Sequence, residues 1–140
     1  MVRSWIEFHD SDVNAIVASG EGVSIHLTAY VHRWEQRDGA WVGTGWTQPV
    51  TIVVRKPTMP GVKTTTPVGV SDGSIRVDEA VHVNLVPLPF EGIGAVRVVV
   101  RLVDGAVVQI SGDQVTLAAT GDARFIEDVP ADLRPPDLQP

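Results

Sequence analysis

The chain has no cysteine, so neither a disulfide framework nor a cysteine-based zinc site can hold it together. Leucine is scarce, at seven residues, and no 11-residue window carries the period of an amphipathic helix. A helical bundle is thereby excluded. No apolar run approaches the roughly 20 residues of a membrane-spanning helix. The start, Met1-Val2-Arg3-Ser4-Trp5, passes into strand-like alternation without the basic and apolar stretches of a secretion signal. A cytoplasmic location is the expectation. Basic residues are few as well, 11 against 17 acidic ones for a net charge of −6, which argues against nucleic acid or an anionic membrane as the main partner. Also lacking are a Gly-x-Ser-x-Gly elbow, a Walker loop and a dinucleotide fingerprint, and the sequence implies no cofactor.

What is present in surplus is the β-branched side chain: 25 Val, 8 Ile and 10 Thr among 140 residues. Such residues suit pleated strands better than helices. Alternating runs separated by turn residues predict strands at 3–9, 12–18, 23–36, 40–55, 74–79, 81–86, 95–103, 106–111, 114–119 and 123–128. Many short strands favour two packed antiparallel sheets, a β-sandwich or jelly roll around a long central hairpin at 23–55, with an open β-barrel as the alternative. The expected organisation is one β domain over 1–130, a surface loop at 56–70 containing Pro57, Pro60, Gly61 and Pro67, and a disordered tail at 131–140 containing Pro135, Pro136 and Pro140.

Register follows from the turns, because a one-residue slip moves every side chain to the other face. Asp38-Gly39 as a two-residue hairpin turn sets Val31 against Trp46, Leu27 against Val50, Ile25 against Ile52 and Val23 against Val54. A three-residue loop around Gly20 would place Asp12 opposite Tyr30 and Asp10 opposite His32. A turn at Gly112-Asp113 would pair Ile110 with Val115. A bulged loop at Asp104-Gly105 would pair Val100 with Ile110 and leave Arg101, with Arg97, beside Gln109 on a solvated face.

The reverse face of the long hairpin carries His26, Thr28, Tyr30, His32 and Trp34, with Gly43 and Gly45 opposite the last two alternating members. Rings beside a glycine floor suit a sugar, a peptide strand or a partner's side chains. They also suit a face that another element covers. His9, Asp10 and Asp12 are expected at the end of this row, so the binding candidates are His26, Tyr30, His32, Trp34, His9, Asp10 and Asp12. An Asp–His hydrogen bond there could orient an imidazole for catalysis or metal binding, or could tie a turn. Asp10-Ser11-Asp12-Val13-Asn14 with Glu21 imitates calcium-loop spacing, but Ala15 stands where such a loop needs glycine.

The stretch Ile6-Glu7-Phe8-His9-Asp10-Ser11-Asp12-Val13, with Ile16 following, resembles the opening of several groups of small bacterial β proteins. These begin with Phe-His-Asp-Ser or Phe-His-Asp-Ala, and some are grouped with immunity proteins of polymorphic toxin systems. The resemblance implies a small cytoplasmic protein that binds another protein, and the acidic balance fits an inhibitor of a basic toxin. It transfers no site residue. The expectation is a non-enzymatic binding or protein-interaction module whose partner is a protein, including a second copy of the chain. The alternatives are a carbohydrate or small-ligand binding protein and a metal-dependent enzyme centred on His9, Asp10 and His32.

Overall fold

The structure, a computed structural model, describes residues 2–20, 22–58 and 67–138. They form β1 (Val2–Ser19), β2 (Gly22–Arg37), β3 (Ala40–Arg55), β4 (Val68–Val77), β5 (Ala80–Val83), β6 (Leu85–Leu88), β7 (Phe90–Leu102), β8 (Val107–Ala119) and β9 (Arg124–Val129). Two 3₁₀ turns follow, Ala131–Leu133 and Pro136–Leu138. Most of the expected 56–70 loop, residues 59–66, lies outside the described residues.

The protein is all-β, and its centre is a closed antiparallel barrel of six strands in the order β1-β2-β3-β8-β7-β4. Closure comes from Asp12 and Val13 of β1, which pair with Gly69 and Val68 of β4. The expected sandwich or jelly roll is therefore corrected to a barrel, and the open-barrel alternative is corrected in its openness. The physical reason is strand length. β1 has 18 residues and β2 and β3 have 16 each, long enough for one half to line the ring and the other to extend beyond it. A closed ring also leaves no free ladder edge within itself. Alternate residues fill the interior, among them Ile25, Leu27, Ile52, Val98 and Ile110, all fully buried.

The β2–β3 hairpin has the predicted register throughout, from Arg37 opposite Ala40 to Val23 opposite Val54. Asp38 and Gly39 both take positive φ, 50° and 79°, as the tight turn requires. Three other expected pairings are corrected. Ser19 pairs with Gly22 rather than spanning a three-residue loop. No turn forms at Gly112, and β8 runs straight through it. A Cβ on Gly112 would sit 2.5 Å from the Arg55 carbonyl oxygen, so this glycine serves a close approach of strands rather than a reversal. The loop after β7 is Val103-Asp104-Gly105, closed by Leu102 N–H donating to the Ala106 carbonyl at 2.9 Å. It pairs Val100 with Val108 and Val99 with Gln109.

The segments expected as separate strands 3–9 and 12–18 are one strand with a bend. Glu7 pairs with Tyr30 and Asp12 with Thr28, so residues 8–11 face the single residue Ala29. This is a large bulge, and each member of Phe8-His9-Asp10-Ser11 has a part in it. Phe8 is fully buried in the barrel core. His9 N–H donates to Asn84 Oδ1 at 2.8 Å. Asp10 takes a φ of 73°, a region that aspartate tolerates better than most side chains. Ser11 Oγ donates to the Glu7 carbonyl at 2.6 Å and accepts from Tyr30 N–H at 3.0 Å. One hydroxyl thus carries the ladder across the gap. Before the bulge β1 pairs with β6, and after it with β4.

Beyond the ring, the outer halves of β1, β2 and β3 continue as a sheet flanked by β6 and β9. A second apolar cluster covers one face of it: Trp5, Trp34, Val129 and Leu138, with Trp41 and Leu85 against them. Of the tail expected at 131–140, residues 139–140 lie outside the described residues, and Leu138 is only 6% exposed within this cluster.

Ser11→Ala removes both bridging hydrogen bonds and takes its partner from the half-buried Tyr30 N–H. It should lower unfolding free energy by about 1–3 kcal/mol in urea denaturation, whereas a change below about 0.5 kcal/mol would make the bridge incidental.

Candidate functional site

The alternating face of β2 that carries His26, Tyr30, His32 and Trp34 points out of the barrel. Its lower end is simple: His26 Nδ1 lies 3.1 Å from Thr51 Oγ1 on the neighbouring strand. Its upper end is not a surface. Trp34 is fully buried and His32 is 5% exposed. A Cβ on Gly43 would lie 2.7 Å from the Trp34 ring, and one on Gly45 would overlap the Tyr30 hydroxyl. The rings therefore lie flat across the glycine floor, and the C-terminal segment closes over them. Trp34 belongs to a core, so of the two readings of this row, contact surface or covered face, its upper end takes the second.

Between these rings and the bend of β1 lies a hollow of about 220 Å³, lined by Glu7, Asp10, Tyr30, His32, Glu127, Asp128 and the Val129–Leu133 turn. The bulge creates it. With residues 8–11 looped out, Trp5 stands opposite His32 and Glu7 opposite Tyr30, where Asp10 and Asp12 were expected. Glu7 Oε2 is 2.7 Å from His32 Nε2, and Asn84 Nδ2 donates to Glu7 Oε1 at 3.4 Å. The hydrogen bond from His32 holds the Glu7 carboxyl below its ordinary value. Partial burial opposes that shift, while the charges of His32 and His9 and the Asn84 amide assist it. A carboxylate only accepts, so Nε2 carries the proton in this pair. His32 Nδ1 is buried with no hydrogen-bond partner among the described residues.

Tyr30 Oη donates to Glu127 Oε1 at 3.1 Å, and its ring meets His32 edge-on at 5.2 Å. Its hydroxyl is pushed up to about 12, first by burial, then by the Glu127 hydrogen bond and the negative charges of Glu127, Glu7 and Asp10. Asp10 also lines the hollow. His9 does not line it, and turns Nδ1 toward the Ser71 carbonyl at 3.1 Å, with Nε2 3.5 Å from Asp10. Asp12 is exposed on the other side of the bend, opposite Thr28 and Gly69. Sequence reasoning missed Glu7, Glu127 and Asp128. Glu127 is 97 residues from Tyr30, and only the pairing of β9 with β3 brings it there.

Among the described residues no three His, Asp or Glu side chains are grouped to hold a metal ion, and no helix is long and apolar enough to cross a membrane. The chain matches no protein-family model, no curated protein and no solved structure.

Two outcomes follow from this geometry. Trp34→Ala empties a packed site and should cost about 3–5 kcal/mol in denaturant unfolding; a loss under about 1 kcal/mol would return Trp34 to the surface. Glu7 stays ionised to lower pH when folded than when unfolded. Its contribution is thus present above the ordinary value of 4.5 and is lost as pH falls below it. Melting curves between neutral and acid pH should fall less steeply for Glu7→Gln than for the parent protein; parallel curves would remove Glu7 from the acid response.

Proposed function

We propose that the chain is a non-enzymatic interaction module that seats a cationic side chain of a protein partner in the hollow beside Tyr30. One observation carries the reading. Glu7, Asp10, Glu127 and Asp128 line one small hollow with Tyr30, whose hydroxyl donates to Glu127 Oε1. Four acidic side chains around one hollow favour an ammonium or guanidinium group there. Exposed Leu133 lies in the same lining, an apolar neighbour of the kind beside which a charged contact gains strength. The chain's net charge of −6 would also speed encounter with a basic partner. This agrees with the protein-binding role that the Phe8-His9-Asp10-Ser11 resemblance implies, and with an acidic balance that fits an inhibitor of a basic toxin.

The alternatives have less support. A small-ligand pocket is usually larger than about 300 Å³ and mostly apolar, while this hollow is about 220 Å³ and rimmed by carboxylates. A carbohydrate platform needs exposed ring faces, and Trp34 and His32 are covered. A metal-dependent centre on His9, Asp10 and His32 would need His9 inside the hollow.

Octalysine, followed by backbone amide shifts, is the test. Shifts should concentrate at Tyr30, Glu127 and Leu133 and weaken with salt, and Glu127→Gln should reduce affinity about tenfold with an unchanged melting temperature. Shifts spread over all acidic loops, or equal affinity for the variant, would overturn the proposal.

A further inference from the structure

Strand β9 is unlike the other strands that flank the ring. It has six residues, Arg124–Val129, and only Val129 is buried. Among the described residues it pairs with β3 alone, so one side of its backbone has no ladder. An unpaired edge is a template for another strand. The remaining edge strands β5 and β6 have four residues each, and β6 contains Pro87, which lacks a backbone donor. β9 is also firmly seated. Phe125 meets Trp46 edge-on at 5.4 Å, and the Arg33 guanidinium lies 4.4 Å over the same indole.

The charges on and beside this edge select its occupant. Glu127 and Asp128 lie on the strand, and Glu7 and Asp10 lie across the hollow that β9 borders. A second copy of the chain pairing antiparallel about Glu127 would set that carboxylate against its own equivalent, a destabilising pair, and only a register shifted toward Arg124 would escape it. A basic strand meets the opposite condition. Its backbone would complete the β9 ladder. Alternate side chains fall on one face, so one lysine or arginine enters the hollow while apolar neighbours cover Phe125 and Ile126.

We infer that β9 is a strand-addition edge, and that the partner presents an extended segment alternating basic and apolar residues. This rests on the reading of the hollow as a cation site, and adds the backbone contact and the partner's conformation. The carboxylates on the edge then have two effects: they disfavour the register of like chains centred on Glu127 and admit a basic strand.

Two capped peptides of the same alternating Lys-Val sequence separate the backbone contribution from the charge, with the protein unaltered. One has ordinary amides, and the other is N-methylated at alternate residues, so its charge is kept and its donors on one edge are lost. Fluorescence anisotropy should show the ordinary peptide binding about tenfold more tightly, and hydrogen exchange should slow at every second β9 amide. Equal affinity, with sensitivity to Glu127→Gln retained, overturns strand addition and leaves the cation site standing. No binding of either peptide overturns both. Slowed β9 exchange without peptide, in a sample that sediments as a dimer, overturns the choice of partner.

Discussion

A single strand that serves two neighbours in succession is the constraint on which this molecule rests. β1 pairs with β6 at its start and with β4 near its middle, and only the second pairing closes the barrel. A straight strand could not do both. The bend is made by looping out residues 8–11, and it survives because the polar backbone it exposes is satisfied again. Ser11 joins Glu7 to Tyr30, and the Asn84 carbonyl and side chain accept from Phe8 and His9. Phe8, driven into the core, anchors the loop from inside. Phe-His-Asp-Ser is therefore foremost a structural motif here, with one residue each for packing, tethering, left-handed backbone and ladder repair.

The candidate site is a by-product of that bend. Looping out the bulge shifts the upstream half of β1 against β2 and brings Glu7 under Tyr30 and His32. A half-buried carboxylate against a buried imidazole is costly to desolvate, and here the short contact and the Asn84 amide offset much of that. Aromatic residues that might have formed a flat binding platform became a second core. What remains at the surface is chemically different: carboxylates around a phenol, beside an unpaired strand edge.

The parts of the fold legible in the sequence were those governed by near neighbours. Asp38-Gly39 admits one tight turn, and strict alternation on both sides fixes every pairing of β2 with β3. Gly112-Asp113 resembles an equally good turn, yet its glycine answers a carbonyl from Arg55, far away in sequence. Asp10 to Ser11 reads as a break between strands because turn-forming residues and bulge-forming residues are the same types. The misplaced register then propagates: Tyr30, His32 and Asp10 line one hollow, while Asp12, expected opposite Tyr30, lies outside it and Glu7 takes its place. Glu127 had no local signal, since its place depends on β9 finding β3.

The ring order has a consequence for how such a chain is made. β1, β2 and β3 are consecutive in both sequence and ring, but β7 and β8 stand between β3 and β4 although both are synthesised later. Until residue 119 has left the ribosome, no completed ring is possible, and valine-rich ladders at 50–55 and 70–77 face an empty gap. The β7–β8 hairpin is the wedge that fills it. The interval before its arrival is when this protein is most exposed to pairing with the wrong strand, and a variant that slows that hairpin would be lost to aggregation rather than to weak native stability.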